Sequence, residues 1–266
     1  MNLIKVLGKL QLQATRTRFL RRELFFDHRQ NESENRHGKM ATEILKSILA
    51  GIEVDAAVGE IVRGLYWTVV VSRFSGLSST MFRDCDQDHS DNSGAFPFTG
   101  GSAADLAQWS LSPDIGKASL GLAAINSLVR VDASRCTEVN AADILMEKGG
   151  GKNISLIGHF PFVDDLRCVA KNLWVIEKWQ KPGDLPAEDA EKYLPQSDVV
   201  ALSSTTLINH TLEGLLPLCS AKSFKMLLGP TTPMTEVLFS YGIDVISGSL
   251  VTDTDLAITY IKQGAN

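Results

Sequence analysis

The sequence predicts a protein of two halves, an α+β half followed by an α/β half, and two observations support this division. From residue 154 onward, continuous apolar runs alternate with helical segments, which is typical of a parallel sheet covered on both faces. The predicted strands of this half are 154–158, 173–177, 198–204, 224–229 and 243–248. Because crossovers between parallel strands are right-handed, these runs predict a Rossmann-like parallel sheet.

The second observation is that the first half places short strands, rich in valine and aromatic residues, ahead of its main helices. Its predicted elements are a helix at 41–52, strands at 56–64, 66–72 and 76–82, and helices at 104–111 and 115–131. Strands followed by helices are typical of an α+β domain. Small residues recur along the last helix and predict tight packing against a neighbour: Ala118, Gly121 and Ala124.

Composition divides the chain into segments 1–39, 40–148 and 149–266. The first forty residues hold nine Lys or Arg and four Asp or Glu, and we expect 1–39 to be a basic extension without stable structure. A helix around 2–26, used for targeting or partner binding, is the alternative. The glycine run at 147–153 predicts a linker rather than a phosphate-binding loop, because the strand follows the glycines instead of preceding them.

The charge distribution argues against a nucleic-acid partner. Residues 41–266 hold the other 17 basic and 27 acidic residues, a balance of −10, whereas nucleic-acid binding requires basic groups that neutralise phosphates. We therefore expect a small molecule or a metal as the partner. No apolar run reaches the roughly 18 residues that suggest a membrane span, and no secretory signal is visible, so no membrane association and a cytoplasmic location are expected. A homo-oligomer is left open.

Candidate ligand-binding residues lie where the predicted strands of the second half end. Open parallel sheets bind ligands beyond the carboxyl ends of their strands, and glycine and hydroxyl residues let a ligand approach backbone N–H groups there. The residues at these strand ends are 158–161, Glu177, 203–206, Asn209, 229–233 and 247–248. At the same edge, His159 and His210 are candidate metal ligands or proton carriers.

Several candidates have a structural alternative. Glu177 lies nineteen residues after Gly158, the spacing of a ribose-binding acid, but Phe160–Pro161 replaces the glycines that admit a dinucleotide pyrophosphate. The alternative for Glu177 is a strand-end carboxylate that faces water and contributes little to folding. Thr205 and Thr206 can cap the helix that they begin.

Two other groups of potential metal ligands give no motif. The segment Asp84, Asp86, Asp88 and His89 resembles the start of a calcium loop, yet the required glycine and bidentate glutamate are replaced by His89 and Ala95. We expect a solvated acidic loop there. The four cysteines contain no CxxC pair, so neither a zinc ribbon nor a redox pair is indicated.

The second half resembles a known family. The motifs that carry the resemblance are IGHFPF at 157–162, Glu177, LPQSDVVALSSTTLINHTLE at 194–213, LLGPTTPM at 227–234 and IDVISGSLVTD at 243–253. In this order they resemble the family named for putative heavy-metal chelation. The segments GLYWTVVVS, GLSSTM and GLAAINSL of the first half resemble that family's partner domain, which looks like the N-terminal domain of enolase.

The resemblance implies an enolase-N-terminal-like domain joined to a Rossmann-like domain, with a ligand site in the cleft between them. It implies that ten of the strand-end residues bind the ligand, and it adds Asn126 from the first half. The ten are Gly158, Phe160, Pro161, Glu177, Thr205, Thr206, Asn209, Gly229, Pro230 and Thr231. The chain departs from the family pattern at His210, where Gly is expected, and at Ser203–Ser204, where Thr–Gly is expected.

We therefore expect a protein that binds a metal ion or a metal–organic chelate in the interdomain cleft. Hydroxyl, amide and carboxylate groups favour hard or borderline ions over a soft thiolate site. One alternative is an enzyme that acts on a nucleotide-like or pterin-like cofactor or substrate in the same cleft, with Glu177 as acid, base or ribose partner. Another is a scaffold whose cleft is vestigial. The sequence assigns no catalytic residue.

Overall fold

The computed structural model describes residues 15–21, 42–82 and 100–265. Its strands are β1 (Thr15–Arg21), β2 (Glu60–Arg63), β3 (Trp67–Val71), β4 (Ser75–Ser79), β5 (Asn153–Ile157), β6 (Asn172–Ile176), β7 (Val199–Ser203), β8 (Phe224–Leu228) and β9 (Val245–Val251). Its α-helices are α1 (Glu43–Ala50), α2 (Ala103–Ala107), α3 (Ile115–Leu128), α4 (Ala141–Gly149), α5 (Val163–Val169), α6 (Ala190–Tyr193), α7 (Thr205–Ile208), α8 (Leu212–Leu215), α9 (Val237–Ser240) and α10 (Thr254–Lys262). Within these ranges, no helix has the length and apolarity that crossing a bilayer requires.

The two sheets confirm the mixed fold that the sequence predicts. Strands β5 to β9 form a parallel sheet in the order β6–β5–β7–β8–β9, and β2, β3 and β4 form a separate antiparallel meander. Residues Val199 to Leu202 are all buried, as expected for a strand covered on both faces. The strand order reverses between β5 and β7, so the switch point lies beyond the carboxyl ends of these two strands.

Strand β1 corrects the prediction for the N-terminal segment. The sequence predicts an unstructured extension or a helix around 2–26, but Thr15–Arg21 is a strand that pairs antiparallel with all seven residues of β9. The alternation of Thr and Arg in TRTR suits a strand more than a helix. This strand also covers the edge that β9 would otherwise leave open. The rest of 1–39, including the other part of the predicted helix, lies outside the described residues.

The segment 207–220, whose apolar pattern is typical of one helix, is divided among three short elements. Helix α7 ends at Ile208, α8 begins at Leu212, and a single 3-10 turn, Leu216–Leu218, follows. His210 sits between the two helices at φ 56°, and a left-handed residue ends an α-helix. The apolar pattern of this segment is helical, but the local backbone is set by the turn at Asn209 and His210.

One apolar core joins the two halves. It contains Ile44 and Ile48 of α1, Leu122 and Ile125 of α3, and apolar residues of β5, β7, β8 and β9. Helix α1 packs against α9, and α3 packs against β3, β4 and α7. The predicted tight packing of α3 is confirmed at Gly121, where an added Cβ would lie 2.0 Å from the Ser110 nitrogen.

The predicted linker at 147–153 begins in the last turn of helix α4 and ends at the first residue of β5, so only 150–152 connect the two elements. This helix packs against α5 and β7 of the second half, and its Ile144 and Leu145 belong to the core cluster on the other face of the parallel sheet. Helix α4 is thus part of the second layer of the sheet, although the predicted boundary at 148 and 149 assigns it to the first half.

Helix α1 receives its N-terminal cap from the second half of the chain. Thr42 makes no side-chain capping hydrogen bond; instead the Glu213 carboxylate accepts the Ile44 N–H at 2.6 Å. Burial raises the pKa of Glu213, and the bond from Ile44 offsets part of that effect. The Glu213 carboxylate therefore connects α8 to α1 through a hydrogen bond. Its charge is half-buried, which makes the ionised form less favourable in the folded protein.

This arrangement predicts that Glu213→Gln changes how stability depends on pH. A carboxyl whose folded pKa is raised stabilises the fold fully below its unfolded pKa of about 4.3, and that contribution is lost as pH rises through the folded pKa. Gln keeps an acceptor for the Ile44 N–H without the charge. We expect the thermal midpoint of the variant, relative to the parent, to rise as pH increases from 4 to 8.

The matched control is Glu191→Gln, on an exposed position of α6. Its melting curve should keep a constant offset from the parent over the same range of pH. If the Glu213→Gln offset is also constant, the carboxylate carries no unfavourable charge in the folded protein.

Candidate functional site

A buried hydrogen-bonded joint connects the meander, α3 and the loop after β8. The Asn126 side-chain amide donates one bond to the Leu77 carbonyl at 2.8 Å and one to the Thr231 carbonyl at 3.0 Å. The Thr231 hydroxyl, which is fully buried, accepts the Ser79 N–H at 2.9 Å and lies 3.1 Å from the Ser79 hydroxyl. Three segments distant in sequence are held by this joint.

The joint fixes the direction of the Asn126 amide oxygen. Both N–H groups of the amide are donated to carbonyls, and carbonyls only accept, so the nitrogen and oxygen cannot be exchanged. The oxygen has no hydrogen-bond partner among the described residues, and it is not among the fully covered unpaired atoms there. It is therefore an acceptor that a ligand can use.

A small cavity of about 220 Å³ lies next to this joint, between the end of α3 and the loops of the second half. Its lining residues are Phe74, Ser75, Asn126, Val129, Arg130, Val131, Thr232, Met234, Ser249, Leu250 and Val251. The Thr232 hydroxyl is covered and has no hydrogen-bond partner in the described part of the chain. Such an unpaired group costs about 1–3 kcal/mol, so this wall lacks one hydrogen bond that a ligand or a local rearrangement could supply.

A large cavity of about 350 Å³ adjoins the small one and shares Val129, Arg130 and Met234 with it. Three arginines line this cavity, and one of them, Arg135, is paired with Glu236. Arg73 lies over the Phe74 ring with its guanidinium 5.2 Å from the ring centroid. Neither Arg73 nor Arg130 has a carboxylate within ion-pairing distance among the described residues.

The predicted residues at the switch point lie close together. Gly158 has φ 107°, and an added Cβ would lie 3.0 Å from Cβ of Ser203, so the ends of β5 and β7 approach through a glycine that no L-residue replaces without strain. The Ser203 and Thr205 hydroxyls are 2.8 Å apart. Phe160 stacks on Phe162 with 5.2 Å between ring centroids, and Pro161 follows it on the exposed side of the loop.

Glu177 corrects the expectation of a free strand-end carboxylate. Its two oxygens accept backbone N–H groups from His159 at 3.1 Å, from Lys178 at 2.7 Å and from Trp179 at 3.4 Å. The carboxylate therefore ties the loop after β5 to the loop after β6. Contact between Glu177 and a ligand stays a prediction, but a merely solvated role does not fit these three bonds.

His159 is oriented by a buried acid. Its Nδ1 lies 2.9 and 3.1 Å from the two carboxylate oxygens of Asp184, whose side chain is 2% exposed. Because the carboxylate only accepts, Nδ1 carries the proton and Nε2 is left for another partner. Histidines that bind metals commonly donate their other ring N–H to a carboxylate in this way. Among the described residues, however, no third His, Cys, Asp or Glu joins His159 and Asp184 to form a metal site.

Other predicted residues have side chains occupied within the protein. The Thr206 hydroxyl donates to the Ser203 carbonyl at 2.6 Å. The Asn209 amide oxygen accepts from the Thr211 N–H and hydroxyl, which closes the turn ahead of α8. His210 donates from Nε2 to the Ser110 carbonyl at 2.7 Å. Gly229 and Pro230 lead from β8 into the joint, next to Ser204.

The described cysteines are poor metal ligands. Burial raises the pKa of the Cys219 thiol to about 11, so this group stays protonated at neutral pH, whereas metals bind the thiolate. Cys136 donates to the Asp132 carbonyl and Cys168 lies exposed elsewhere. No group of three or more His, Cys, Asp or Glu is arranged for a metal among the described residues. The acidic segment at 84–89 and Cys85 lie outside them.

Of the residues that line the small cavity, the sequence predicts Asn126 as a ligand contact and places Thr232 at a strand end, but it does not mark the others. Thr232 and Met234 belong to the quoted motif GPTTPM, but nothing in the sequence separates Thr232 from the buried Thr231 beside it. Arg130 follows the end of a helix, where a basic residue is ordinarily explained by the helix dipole. Only the packing of α3 against the β8 loop brings these residues together.

Comparison with known proteins gives matches over most of the chain. Residues 140–266 match the model of the DUF364 family, and residues 45–129 match that of the DUF4213 family, each described as "Putative heavy-metal chelation". An uncharacterised protein of Methanocaldococcus jannaschii is 32% identical over 158 residues, which are 56% of this chain and 60% of that protein. The match thus spans less than two thirds of that curated relative's length.

Two solved structures of DUF364 proteins with unknown function are also similar. The protein of Desulfitobacterium hafniense has a TM-score of 0.71 and 26% sequence identity, covering 84% of this chain and 92% of its own. The protein of Pyrococcus horikoshii has a TM-score of 0.68 and 21% identity, covering 84% of this chain and 93% of its own. The second likeness shows the shared fold.

The joint predicts that Thr231→Val destabilises the protein. Valine keeps the shape but removes the acceptor of the Ser79 N–H, and an unpaired buried donor costs about 1–3 kcal/mol. We expect the thermal midpoint to fall by roughly 2–4 °C per kcal/mol lost. Thr259→Val, on the exposed face of α10, is the control and should stay within about 0.5 kcal/mol of the parent. Equal midpoints for parent and Thr231→Val would show that the joint is not needed.

The cysteine environments predict that metal binding survives without thiols. Replacing Cys85, Cys136, Cys168 and Cys219 by alanine should leave the metal content unchanged in elemental analysis of protein loaded under the same conditions. Circular dichroism of the variant should show that the fold persists. Metal lost along with the thiols in a folded variant would place the site at the cysteines.

Proposed function

The chain belongs to the family described as "Putative heavy-metal chelation", and from this membership we propose that it binds a metal–organic chelate in the small cavity beside Asn126. Membership suggests the metal and does not specify how it is held. The donor groups of the described residues decide between a bare ion and a metal carried by an organic ligand.

The observation that carries the proposal is the presented amide oxygen of Asn126. Its two N–H groups are fixed on the Leu77 and Thr231 carbonyls, so the oxygen is held in one position on a residue that lines the cavity. A preorganised acceptor binds a ligand without losing side-chain freedom on binding. The cavity beside it has apolar walls with a few polar groups, which is typical of small-molecule sites.

The donor set favours a chelate over a bare ion. A hard or borderline cation takes several oxygen or nitrogen ligands, and the described residues offer no cluster of three acidic, histidine or cysteine side chains. One amide oxygen and one guanidinium suit the organic shell of a chelate, whose own atoms complete the coordination of the metal.

A second candidate is an enzyme that acts on a pterin-like or nucleotide-like molecule. The observation that favours it is the oriented imidazole of His159, held by the buried Asp184 at the carboxyl ends of the parallel strands. A bound pterin would give the purified protein an absorbance band that a simple chelate carrier lacks. The likeness of the first half to the N-terminal domain of enolase, and a cytoplasmic location, stay predictions.

The proposal is tested by titrating the protein with iron(III) 3,4,5-trihydroxybenzoate in a calorimeter. Two adjacent ring oxygens of this acid bind the metal, and the third hydroxyl keeps its proton as a donor to Asn126. Two further titrations serve as controls. The metal-free acid presents the organic ligand without the metal, and iron(III) citrate presents the metal without that ligand. We expect the complex to bind at least ten-fold more tightly than the other two. Equal affinity of iron(III) citrate would indicate a bare-metal site, and equal affinity of the metal-free acid would show that the metal plays no part.

Asn126→Leu locates the site. Leucine removes the presented oxygen, and the loss of one hydrogen bond of about 1–3 kcal/mol should weaken binding by roughly ten-fold, since 1.4 kcal/mol is one decade. The matched control is Thr231→Val, which also weakens the joint but leaves the Asn126 oxygen in place. It should bind within two-fold of the parent. If both variants lose affinity equally, the joint and not the amide oxygen controls binding.

A further inference from the structure

The charges around the small cavity point to an acidic ligand. We infer that the chelate bound there is built on a single-ring organic acid, whose carboxylate is held by Arg130 while its ring lies against the apolar wall. This inference rests on the proposed function and adds the chemical class of the ligand.

Arg130 is the charged residue among those that line the small cavity. The other lining groups are neutral: apolar side chains, two serines, Thr232 and Asn126. Arg130 is exposed to solvent, so its guanidinium is accessible to an anionic ligand. The nearby acidic residues Glu53, Asp132 and Glu236 line the large cavity and not the small one, so the small cavity favours an anion.

The neighbouring carboxylates make no ion pair with Arg130, although Asp132, two residues away, interacts with its charge at longer range. Arg135 is paired with Glu236 across the large cavity, and Asp132 accepts the Ser134 N–H at 2.9 Å and its hydroxyl at 2.6 Å. Arg130 has no carboxylate within 4 Å in the described ranges. An unpaired arginine at a cleft is more notable because residues 41–266 have a net charge of −10.

The shape of the cavity selects the rest of the molecule. Its volume of about 220 Å³ is below the roughly 300–1,000 Å³ of sites for drug-sized ligands, so one ring fits and a dinucleotide does not. Phe74, Val131 and Leu250 supply an apolar surface for a ring. The Asn126 oxygen accepts a hydrogen bond, so the ring carries a hydroxyl or amino donor.

Arginine also matches a carboxylate geometrically. The guanidinium presents parallel N–H groups that bind both carboxylate oxygens. Its position on the wall shared with the large cavity leaves room beside the ring for the metal and the remaining atoms of the chelate. Arg130 therefore recognises the carboxylate of the ligand, and the Asn126 oxygen recognises a hydrogen-bond donor on its ring.

The inference is tested with a pair of probes that differ only in charge. Iron(III) complexes of 3,4,5-trihydroxybenzoate and of 3,4,5-trihydroxybenzamide chelate through the same ring oxygens and keep one ring hydroxyl, but only the first has a carboxylate. We expect the acid complex to bind the parent protein at least ten-fold more tightly than the amide complex. The difference should shrink as salt increases from 0.05 to 0.5 M, because ions screen the pair.

Arg130→Gln should remove this preference, and Arg73→Gln is the matched control. Both variants lose one positive charge near the cleft, but Arg73 lines only the large cavity. We expect Arg130→Gln to bind the acid and amide complexes equally and Arg73→Gln to keep the preference. Thermal melting should show both variants folded.

The outcomes separate the two proposals. If the parent binds both complexes equally and Arg130→Gln changes nothing, the acidic ligand is wrong while chelate binding stands. If Arg73→Gln loses the preference as fully as Arg130→Gln, long-range charge and not a pair with Arg130 selects the ligand. If neither complex binds, the proposed function fails, and the inference fails with it.

Discussion

The position of the cleft depends on one side-chain amide. Asn126 donates both of its N–H groups to backbone carbonyls, one on β4 and one in the loop after β8. These segments belong to different halves of the chain, so the amide sets how the second half sits on α3. The same two bonds leave its oxygen with no rotational freedom and no partner in the described part of the chain. The two hydrogen bonds that connect the halves therefore also fix the orientation of the unpaired oxygen, with no further loss of side-chain entropy.

The carboxyl edge of the parallel sheet is stiffened in the same way. The Glu177 carboxylate accepts hydrogen bonds from three backbone N–H groups. The Asn209 side chain accepts the two bonds that close the turn before α8. His210 takes a left-handed backbone, a conformation that favours glycine, and its ring donates a hydrogen bond to the Ser110 carbonyl of the first half. Polar side chains that the sequence marks as ligand contacts serve here to hold loops, because each loop must satisfy its own backbone groups.

Sequence reasoning predicts the elements better than the site. Apolar runs identify β5 to β9 to within about two residues, except that β9 runs on to Val251, because strands buried on both faces need continuous apolar side chains. The break at His210 is invisible to the apolar pattern, since it comes from one backbone angle. Strand β1 is missed because its pairing partner lies more than two hundred residues away. The sequence does not single out Arg130 or Thr232, because only the packing of α3 against the loop after β8 brings them to the same cavity.

The shared core restricts how the cleft can work. Ile44, Ile48 and Leu122 of the first half pack in the same cluster as Leu202, Leu227 and Ile246 of the sheet. Opening the halves like a hinge would expose this apolar surface at about 25 cal/mol for each Å², which a small ligand cannot supply. The cavity is therefore preformed, and under the proposed function its selectivity comes from fixed groups and not from closure around the ligand. A charge at one end and an acceptor at the other are the two means of discrimination that such a rigid site retains.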